Sequence, residues 1–268
     1  MELYRFREGG SPLLVSIPHA GTHIPQALLA HMTPVARRLD DTDWHVDRLY
    51  DFLGELDASV LVATHSRYVV DLNRPPDDAP LYPGQDTIGL VPLDTAAREP
   101  LYAPGAAPTA EEIAARVEKY WKPYHDKLAA ALAAIRARHG YALLWDAHSI
   151  ASRLPRFFEG KLPDFNIGTA RGASCGAGLG EALLAVAKKA TGFSAVLDGR
   201  FVGGYITRHY GRPAEGVHAV QLELAQCTYM EELAPPYRFR EDLARRVRPH
   251  LRAMLEEFLR RARALHKG

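Results

Sequence analysis

The chain has 268 residues, 47% of them hydrophobic, with 33 basic and 32 acidic side chains and a net charge of +1. So balanced a charge argues against nucleic-acid binding, which needs a clear basic excess. The charged start MELYRFREGG does not predict a signal peptide, and no apolar run approaches the length of a membrane span. The length predicts one α/β domain over residues 1–268, and Cys175 and Cys227 are typical of reduced thiols in a cytoplasmic protein.

The first predicted elements are a strand and a helix. Residues 12–21 predict a core strand that runs into a glycine-bounded loop at His19. Residues 40–56 have apolar residues at helical spacing, and Thr42 or Asp43 is a suitable N-cap. The start of the chain therefore predicts one β–α pair with a histidine at the end of its strand.

Two apolar runs and a long loop follow. Residues 58–76 hold both runs, and the second carries Asp71 before the chain reaches a pair of prolines. Residues 77–108 are rich in proline, glycine and aspartate and predict a loop that is long for a compact domain. Loops of that length are often functional.

Helices and strands alternate through the rest of the chain. Thr109 and Glu112 form a capping box that opens a helix, which we expect Pro123 to kink and Gly140 to end. Residues 141–145 predict a short buried strand. A further helix, two strands and a long amphipathic C-terminal helix follow. This order predicts an α/β fold with three αβα layers around a mixed, mostly parallel sheet.

Polar side chains that are unfavourable to bury occur at the ends of several apolar runs or within them. His19 follows the first strand, Asp146 and His148 follow Trp145, and Glu223 lies inside an apolar run. A buried carboxylate is unfavourable unless it is paired or binds a metal. For Asp146 and His148 alone, a loop cap with backbone hydrogen bonds is the simpler interpretation. Recurrence at several strands favours a shared site, because ligands bind at the carboxyl ends of strands in such sheets.

A zinc hydrolase site would account for these residues together. A catalytic zinc takes three protein ligands, imidazoles and a carboxylate among them, and leaves a position for water. His19 and His148 are the candidate imidazoles, and Glu223 is the candidate base for the metal-bound water. The chain has no HExxH motif, so the usual local signature of a zinc protease is missing.

Seven segments together resemble the N-formylglutamate amidohydrolase family. They are SIPHAGTHIP, TDWHVDRLYDF, SRYVVDLNRPPDD, LLWDAHSI, LPDFNIGT, GGYITRHYG and HAVQLELAQ. The resemblance runs from about residue 12 to the C-terminal helix. It implies one α/β domain similar to the zinc carboxypeptidases and aspartoacylases. It also implies metal-dependent hydrolysis of N-formyl-L-glutamate to formate and L-glutamate by a cytoplasmic enzyme of histidine degradation.

The resemblance implies a metal site, position by position. His19 and His148 resemble metal ligands, and Glu223 resembles the general base. Aspartoacylases place a glutamate ligand three residues after the first histidine, but that position is Thr22 here. The carboxylate must come from elsewhere, and the resemblance implies Asp43 as the third ligand to one divalent ion, Zn2+.

Two other aspartates are alternatives for the third ligand. Asp47 belongs to the same segment as Asp43. Asp146 lies two residues before His148, on the same strand face, and could instead orient that imidazole as its hydrogen-bond partner.

Arginines are implied to recognise the substrate. By analogy with the aspartoacylase DLNR segment, Asn73 and Arg74 hold one substrate carboxylate. Arg67 polarises the scissile carbonyl and stabilises the oxyanion. Arg208 is the candidate for the second carboxylate, since a guanidinium fork matches two carboxylate oxygens. The implied partner is a small molecule, N-formylglutamate, and neither nucleic acid nor a membrane.

Two further functions remain open from the sequence. One is hydrolysis of another N-acyl or N-formimino amino acid. The other is a non-catalytic relative that binds an amino acid. The joint presence of His19, His148 and Glu223 disfavours the second, because a binding protein has no need of a general base.

Overall fold

The centre of the fold is a seven-stranded mixed sheet, seen in the part of the chain that the computed structural model describes, residues 1–81 and 84–266. Its strand order is β1-β3-β2-β4-β7-β5-β6. The strands are β1 (Tyr4–Arg7), β2 (Leu13–Ile17), β3 (Ser59–Ala63), β4 (Ala142–Ile150), β5 (Phe165–Gly168), β6 (Ala195–Leu197) and β7 (Val217–Ala225). Strands β2, β3, β4 and β7 are parallel, whereas β1 and the β5–β6 pair run the other way. The predicted mixed, mostly parallel sheet is confirmed.

Helices pack against the sheet. The α-helices of the described residues are α1 (Gln26–Leu29), α2 (Val46–Leu49), α3 (Ala110–Arg116), α4 (Lys122–His139), α5 (Leu179–Ala187), α6 (Tyr205–Tyr210) and α7 (Glu241–Leu265). Shorter 3-10 turns are Pro34–Arg38, Asp51–Gly54, Pro213–Glu215 and Gln226–Thr228, and a π-turn at Val117–Trp121 joins α3 to α4. Within residues 1–81 and 84–266, no helix combines the length and apolarity needed to cross a bilayer.

Two apolar clusters separate the helices into layers. One cluster packs α5 and α7 against the face that carries Leu13 and Trp145. The other packs α4 and α6 against the opposite face, which carries Leu14 and Leu144. Successive strand residues point to opposite faces, so each central strand contributes to both clusters. This is why the central strands are apolar almost without interruption.

The strand predicted at residues 141–145 is longer in the structure. Strand β4 continues to Ile150, and its pairing with β7 reaches Ala225. Asp146 and His148 therefore lie within the strand rather than after it. The apolar pattern stops early because the second half of β4 carries the polar side chains of a site.

The helix predicted at residues 40–56 is wrong. Only the single turn α2 and the 3-10 turn Asp51–Gly54 form there, and the N-cap of α2 is His45, with a φ of 63°. Asp43 does not cap the helix, because its carboxylate accepts from the backbone N–H of Ser149 instead. A tertiary contact has replaced the local one.

Of the apolar runs in residues 58–76, only the first forms a strand. Strand β3 ends at Ala63, and residues 64–76 continue as turns although several are fully buried. Residues 77–81 and 84–108 form no helix or strand, as the predicted loop requires. Residues 82–83 of that predicted loop lie outside the described residues.

The predicted helix limits after this loop are confirmed. Thr109 and Glu112 form both bonds of the capping box. Gly140 ends α4 in the left-handed region, with a φ of 81°, where glycine is favoured. Pro123 lies in the first turn of α4, directly after the π-turn, so the predicted irregularity occurs just before the proline.

Candidate active site

Three buried side chains meet at the carboxyl ends of the central strands. His19 follows β2, His148 lies in β4, and Asp43 lies in the turns that precede α2. Their possible ligand atoms all lie within 4.8 Å of one another. Asp43 Oδ2 is 3.1 Å from His148 Nδ1 and 3.8 Å from His19 Nδ1. These three residues could hold a metal ion.

Backbone contacts hold Asp43 between the two segments that carry His19 and His148. Its N–H donates to the carbonyl of His19 over 3.0 Å. Its carboxylate accepts from the N–H of Ser149 over 3.1 Å. The side chain is only 1% exposed, so Asp43 is held in place from both sides.

Two further aspartates lie behind the imidazoles. His19 Nε2 is 2.8 Å from Asp71 Oδ1, and His148 Nε2 is 3.0 Å from Asp146 Oδ2. Both rings thus direct Nδ1 towards Asp43 and Nε2 towards a buried carboxylate. Metal-binding histidines are commonly oriented in this way, because a carboxylate partner fixes the tautomer and the ring plane.

The ionisation of these groups follows from their neighbours. Burial would raise the pKa of Asp71, but the Arg67 guanidinium and His19 hold it well below its usual value. Burial would lower the pKa of His148, but the carboxylates of Asp146 and Asp43 raise it well above its usual value. Burial and Arg67 lower the pKa of His19. The site is therefore rich in negative charge around His148.

The donor set and its charge fit a divalent cation. Asp146 Oδ1 has no hydrogen-bond donor among the described residues, and Oδ2 has only the contact with His148 Nε2, although the side chain is fully buried. Such a carboxylate is costly without a nearby positive charge. Two imidazoles and one carboxylate are also the ligands that zinc prefers in catalytic sites.

Of the three predicted aspartates, Asp43 belongs to the ligand group. Asp146 contacts the far nitrogen of His148 instead. Asp47 lies on α2, where its partly exposed side chain bonds to Arg5 over 2.6 Å.

Glu223 lies beside the ligand group on the neighbouring strand. It is the register partner of His148 in the β4–β7 ladder, and its side chain is directed into the same cavity. Burial raises the pKa of Glu223 to about 8, with the carboxylates of Asp43 and Asp146 adding to the effect. A carboxyl with such a pKa can carry a proton near neutrality.

A cavity of about 420 Å³ opens over these residues. His19, Asp43, His148 and Glu223 form part of its wall. The arginines along the wall, within the part of the chain that the structure describes, are Arg38, Arg67, Arg74 and Arg200.

The prediction that placed Arg208 at the substrate is not supported by its position. Arg208 lies on the short helix α6 and is not among the described residues that form the cavity wall. Its Nε donates to the carbonyl of Gly203 over 2.8 Å. Helix α6 packs against the sheet through Ile206.

Arg67 belongs to the cavity wall and is anchored there by a buried carboxylate. Its Nη2 donates to Asp71 Oδ2 over 2.6 Å, which ties it to the carboxylate behind His19. Its Nε is buried and has no acceptor among the described residues. Arg67 is therefore rigidly placed with one N–H unused.

Helix α4 and the π-turn before it hold the segment that carries Asn73 and Arg74. Trp121 Nε1 donates to the carbonyl of Arg74 over 3.0 Å, and His125 Nε2 donates to the carbonyl of Leu72 over 2.9 Å. The guanidinium of Arg74 is held in turn by the carbonyl of Ile88, 2.7 Å from its Nε.

The amide of Asn73 links this segment to the site. Its Oδ1 accepts from the N–H of Ile206, and its Nδ2 lies 2.9 Å from His148 Nε2. Gly204 is required here, because a Cβ at that position would lie 2.3 Å from the Asn73 amide.

The nucleophile elbow pattern G-x-S-x-G occurs once, as GASCG at residues 172–176. Ser174 is buried there, and its hydroxyl donates to the carbonyl of Ala219 over 2.7 Å. Burial also raises the pKa of the neighbouring Cys175 to about 12. Neither group lies on the cavity wall, so a serine or cysteine nucleophile is disfavoured.

The sequence analysis missed Arg200. This residue follows the short strand β6 and is part of the cavity wall. Asp198 directly follows the apolar run of β6, and Arg200 lies three residues after the last residue of that run, Leu197. The polar residues that follow this predicted strand are the signal that indicates Arg200.

A family model and two named bacterial proteins match most of the chain. The family model described as N-formylglutamate amidohydrolase matches residues 11–230. The chain is 55% identical over 258 residues to the N-formylglutamate deformylase of Pseudomonas aeruginosa, with 96% of each chain covered. It is 53% identical over 254 residues to the protein of the same name from Pseudomonas putida, with 95% of this chain and 94% of that one covered.

Solved structures agree with the fold. The crystal structure of an N-formylglutamate amidohydrolase from Ralstonia eutropha JMP134 superposes with a TM-score of 0.80 at 26% identity, covering 100% of both chains. A gene product of Agrobacterium tumefaciens superposes with a TM-score of 0.68 at 18% identity, covering 100% of this chain and 97% of that one. The second likeness concerns the fold alone.

Proposed function

The chain belongs to the N-formylglutamate amidohydrolase family, and from this we propose that it hydrolyses N-formyl-L-glutamate to formate and L-glutamate. The observation that carries the proposal is the buried group His19, Asp43 and His148 beside Glu223, in a cavity whose wall also contains arginines. Such a cavity suits a small substrate that carries both an amide and negative charge.

His19, Asp43 and His148 would hold one divalent ion, for which zinc is the proposed identity. When bound, such an ion lowers the pKa of a water molecule and polarises a carbonyl oxygen. Asp71 and Asp146 contact the two Nε2 atoms and would keep the imidazoles oriented with Nδ1 towards Asp43.

Glu223 would act as the general base and then as the general acid. Its carboxylate accepts a proton from the attacking water as the water oxygen bonds to the formyl carbon. The same carboxyl then gives that proton to the amide nitrogen as the carbon–nitrogen bond breaks. Formate and the free amine of glutamate are the products. Burial raises the pKa of Glu223, and a group that both accepts and gives a proton works best when its pKa lies near the working pH.

Arg67 would stabilise the charge that develops on the formyl oxygen. Its guanidinium belongs to the cavity wall that also contains His19, Asp43 and His148, where a positive charge favours a developing oxyanion. The salt bridge to Asp71 keeps the guanidinium from moving during the reaction. Arg74, beside Asn73, would bind one substrate carboxylate.

The wider setting is also part of the proposal. A role in histidine degradation and a cytoplasmic location are predictions that follow from the resemblance. Whether residues 1–268 form a single catalytic domain is likewise a prediction.

The direct test is formate release from N-formyl-L-glutamate by the purified protein. We expect release that stops after treatment with a chelator and returns with added zinc. N-acetyl-L-glutamate and N-formimino-L-glutamate, assayed in parallel through release of glutamate, test the alternative substrates. A zinc-loaded protein that binds N-formylglutamate without turnover would instead be the non-catalytic relative.

A further inference from the structure

A doubly charged substrate needs two separate anion partners. N-formylglutamate carries an α-carboxylate next to the amide nitrogen and a second carboxylate at the end of its side chain. One guanidinium cannot hold both while the amide stays at the metal group. A site that buries both carboxylates must therefore supply a second cation, because an unpaired buried carboxylate is strongly unfavourable.

Three of the four arginines in the described part of the cavity wall have contacts or positions that suit other roles. Arg38 donates to Asp40 from two nitrogens and also bonds to Glu99, so two carboxylates neutralise its charge. Arg67 is in a salt bridge with Asp71. Arg74 is next to Asn73, whose amide lies 2.9 Å from His148 Nε2, so it lies on the side of the metal ligands.

Arg200 is placed differently from the other three. Its Nε donates to the carbonyl of Phe157 over 2.7 Å, which fixes the direction of the guanidinium. The guanidinium carbon lies 5.9 Å from the ring centroid of Phe157 and 5.3 Å from that of Phe201. Both rings and Leu154 are part of the same cavity wall. An apolar wall of this kind strengthens a charge pair, because it keeps water from the pair.

The sheet order separates Arg200 from Arg74. Arg74 belongs to the turns that follow β3, and Arg200 belongs to the loop that follows β6. The strands that carry the catalytic candidates, β2, β4 and β7, lie between β3 and β6. A substrate held by both arginines would extend across the residues that react with its amide.

From this placement we infer that Arg200 binds the side-chain carboxylate of the substrate, while Arg74 binds the α-carboxylate. The inference rests on the proposed function. The α-carboxylate is attached to the carbon that bears the amide, so it belongs on the side of Asn73 and His148. The side-chain carboxylate lies three carbons further along the chain, which suits the more distant arginine. Arg200 thus determines whether the enzyme selects glutamate over uncharged side chains.

The test compares N-formyl-L-glutamate with N-formyl-L-glutamine, which has the same shape without the second charge. We expect Arg200→Ala to lower kcat/KM for N-formylglutamate by roughly 30- to 5,000-fold, the range for loss of one partner of a buried ion pair. The value for N-formylglutamine should change little. Metal content should stay at the wild-type level, because Arg200 is not a member of the proposed ligand group.

Three further variants complete the experiment. Arg208→Ala represents the competing assignment and should keep the wild-type preference for glutamate. Arg246→Ala, at an exposed arginine on α7, is the matched control for loss of a positive charge. Arg200→Lys keeps a cation but not the fork, so it should retain only part of the preference. It decides the question if truncation to alanine unfolds the chain.

The possible outcomes distinguish a failure of the Arg200 assignment from a failure of the proposed function. If Arg200→Lys and Arg200→Ala keep the full preference while formate release is normal, the assignment of Arg200 is wrong and the proposed function stands. A loss of preference in Arg208→Ala, with none in the Arg200 variants, would also overturn it. If the wild-type protein releases no formate from N-formylglutamate, the proposed function fails, and the assignment of Arg200 fails with it.

Discussion

At the scale of single residues, the candidate ligands are oriented by the side chains and backbone groups that contact them. The sequence indicated His19, His148 and Glu223, because each interrupts an apolar pattern. The shared strand face offered Asp146 as the partner of His148, but nothing in the sequence indicated that Asp71 lies behind His19, since that depends on how the turns after β3 fold. The choice of Asp43 over Asp47 likewise depends on the contact with Ser149.

Glu223→Gln tests the general base. Glutamine keeps the shape of the side chain but cannot accept a proton from water, so we expect kcat to fall by roughly 10²–10⁴-fold. Formate release at saturating substrate measures this, and elemental analysis should find the wild-type metal content. Glu231→Gln, at an exposed glutamate beyond the end of β7, should keep wild-type turnover. Near-normal turnover in Glu223→Gln would assign the base to another group.

The three aspartates considered as ligands should differ in metal binding. Asp43→Asn should lose the ion, because it removes the only carboxylate of the ligand group. Asp146→Asn should weaken metal affinity by roughly 10–100-fold, the usual effect of losing the partner of a ligand histidine. Asp47→Asn should bind metal normally. Titration with zinc and a competing chelator measures all three, and full occupancy in Asp43→Asn would exclude Asp43 as a ligand.

At the scale of secondary structure, elements with local signals were predictable and elements decided by tertiary contacts were not. The capping box at Thr109 and the stop at Gly140 were predicted, because both are encoded within a few residues. The helix predicted at residues 40–56 failed, since the carboxylate of Asp43 serves the site instead of a helix end. Strands β1 and β5 were not predicted, because each is only four residues long and gains its stability from pairing in the sheet.

The stability of the folded protein should depend on pH through His125, which lies on helix α4. Burial lowers the pKa of this residue to about 3, and its ring donates to Leu72 as a neutral imidazole. Below pH ~6.5 the unfolded chain binds a proton at this position and the folded chain does not, so stability falls as the pH drops towards 3. His125→Gln removes this contribution.

We expect the difference in unfolding free energy between His125→Gln and the wild type to become smaller as the pH falls. Its unfolding free energy should lie below that of the wild type at pH 7.5. The gap should shrink by roughly 2–3 kcal/mol at pH 4.5, given about 1.4 kcal/mol per pKa unit. Urea denaturation at both pH values, extrapolated to water, measures the gap. An equal gap at the two pH values would mean that His125 takes up its proton in the folded chain.

At the scale of the whole molecule, the candidate metal group connects distant parts of the chain. His19, Asp43 and His148 come from the end of β2, a loop and β4. An ion bound by all three holds these segments together in the folded state and has no equivalent site in the unfolded chain. Folding and metal binding should therefore be thermodynamically coupled.

Removal of the metal should lower the thermal stability of the protein. With free zinc at about 100 times its Kd, the bound ion contributes ~2.7 kcal/mol. For a domain of this size that corresponds to a rise in Tm of roughly 5–10 °C. Thermal denaturation with zinc and with chelator measures the shift, and His148→Ala should show none. A wild-type Tm that does not respond to either reagent would contradict the proposed metal site.

His148 and Glu223 occupy the same rung of the β4–β7 ladder, whereas Arg74 and Arg200 lie in turns and loops. The spacing between ligand and base is thus set by hydrogen-bonded strands about 4.8 Å apart. The spacing between the substrate-binding arginines depends on segments that tolerate insertion and substitution. Over evolution, the range of side chains accepted by such a protein can drift through its loops while the bond-breaking machinery stays unchanged.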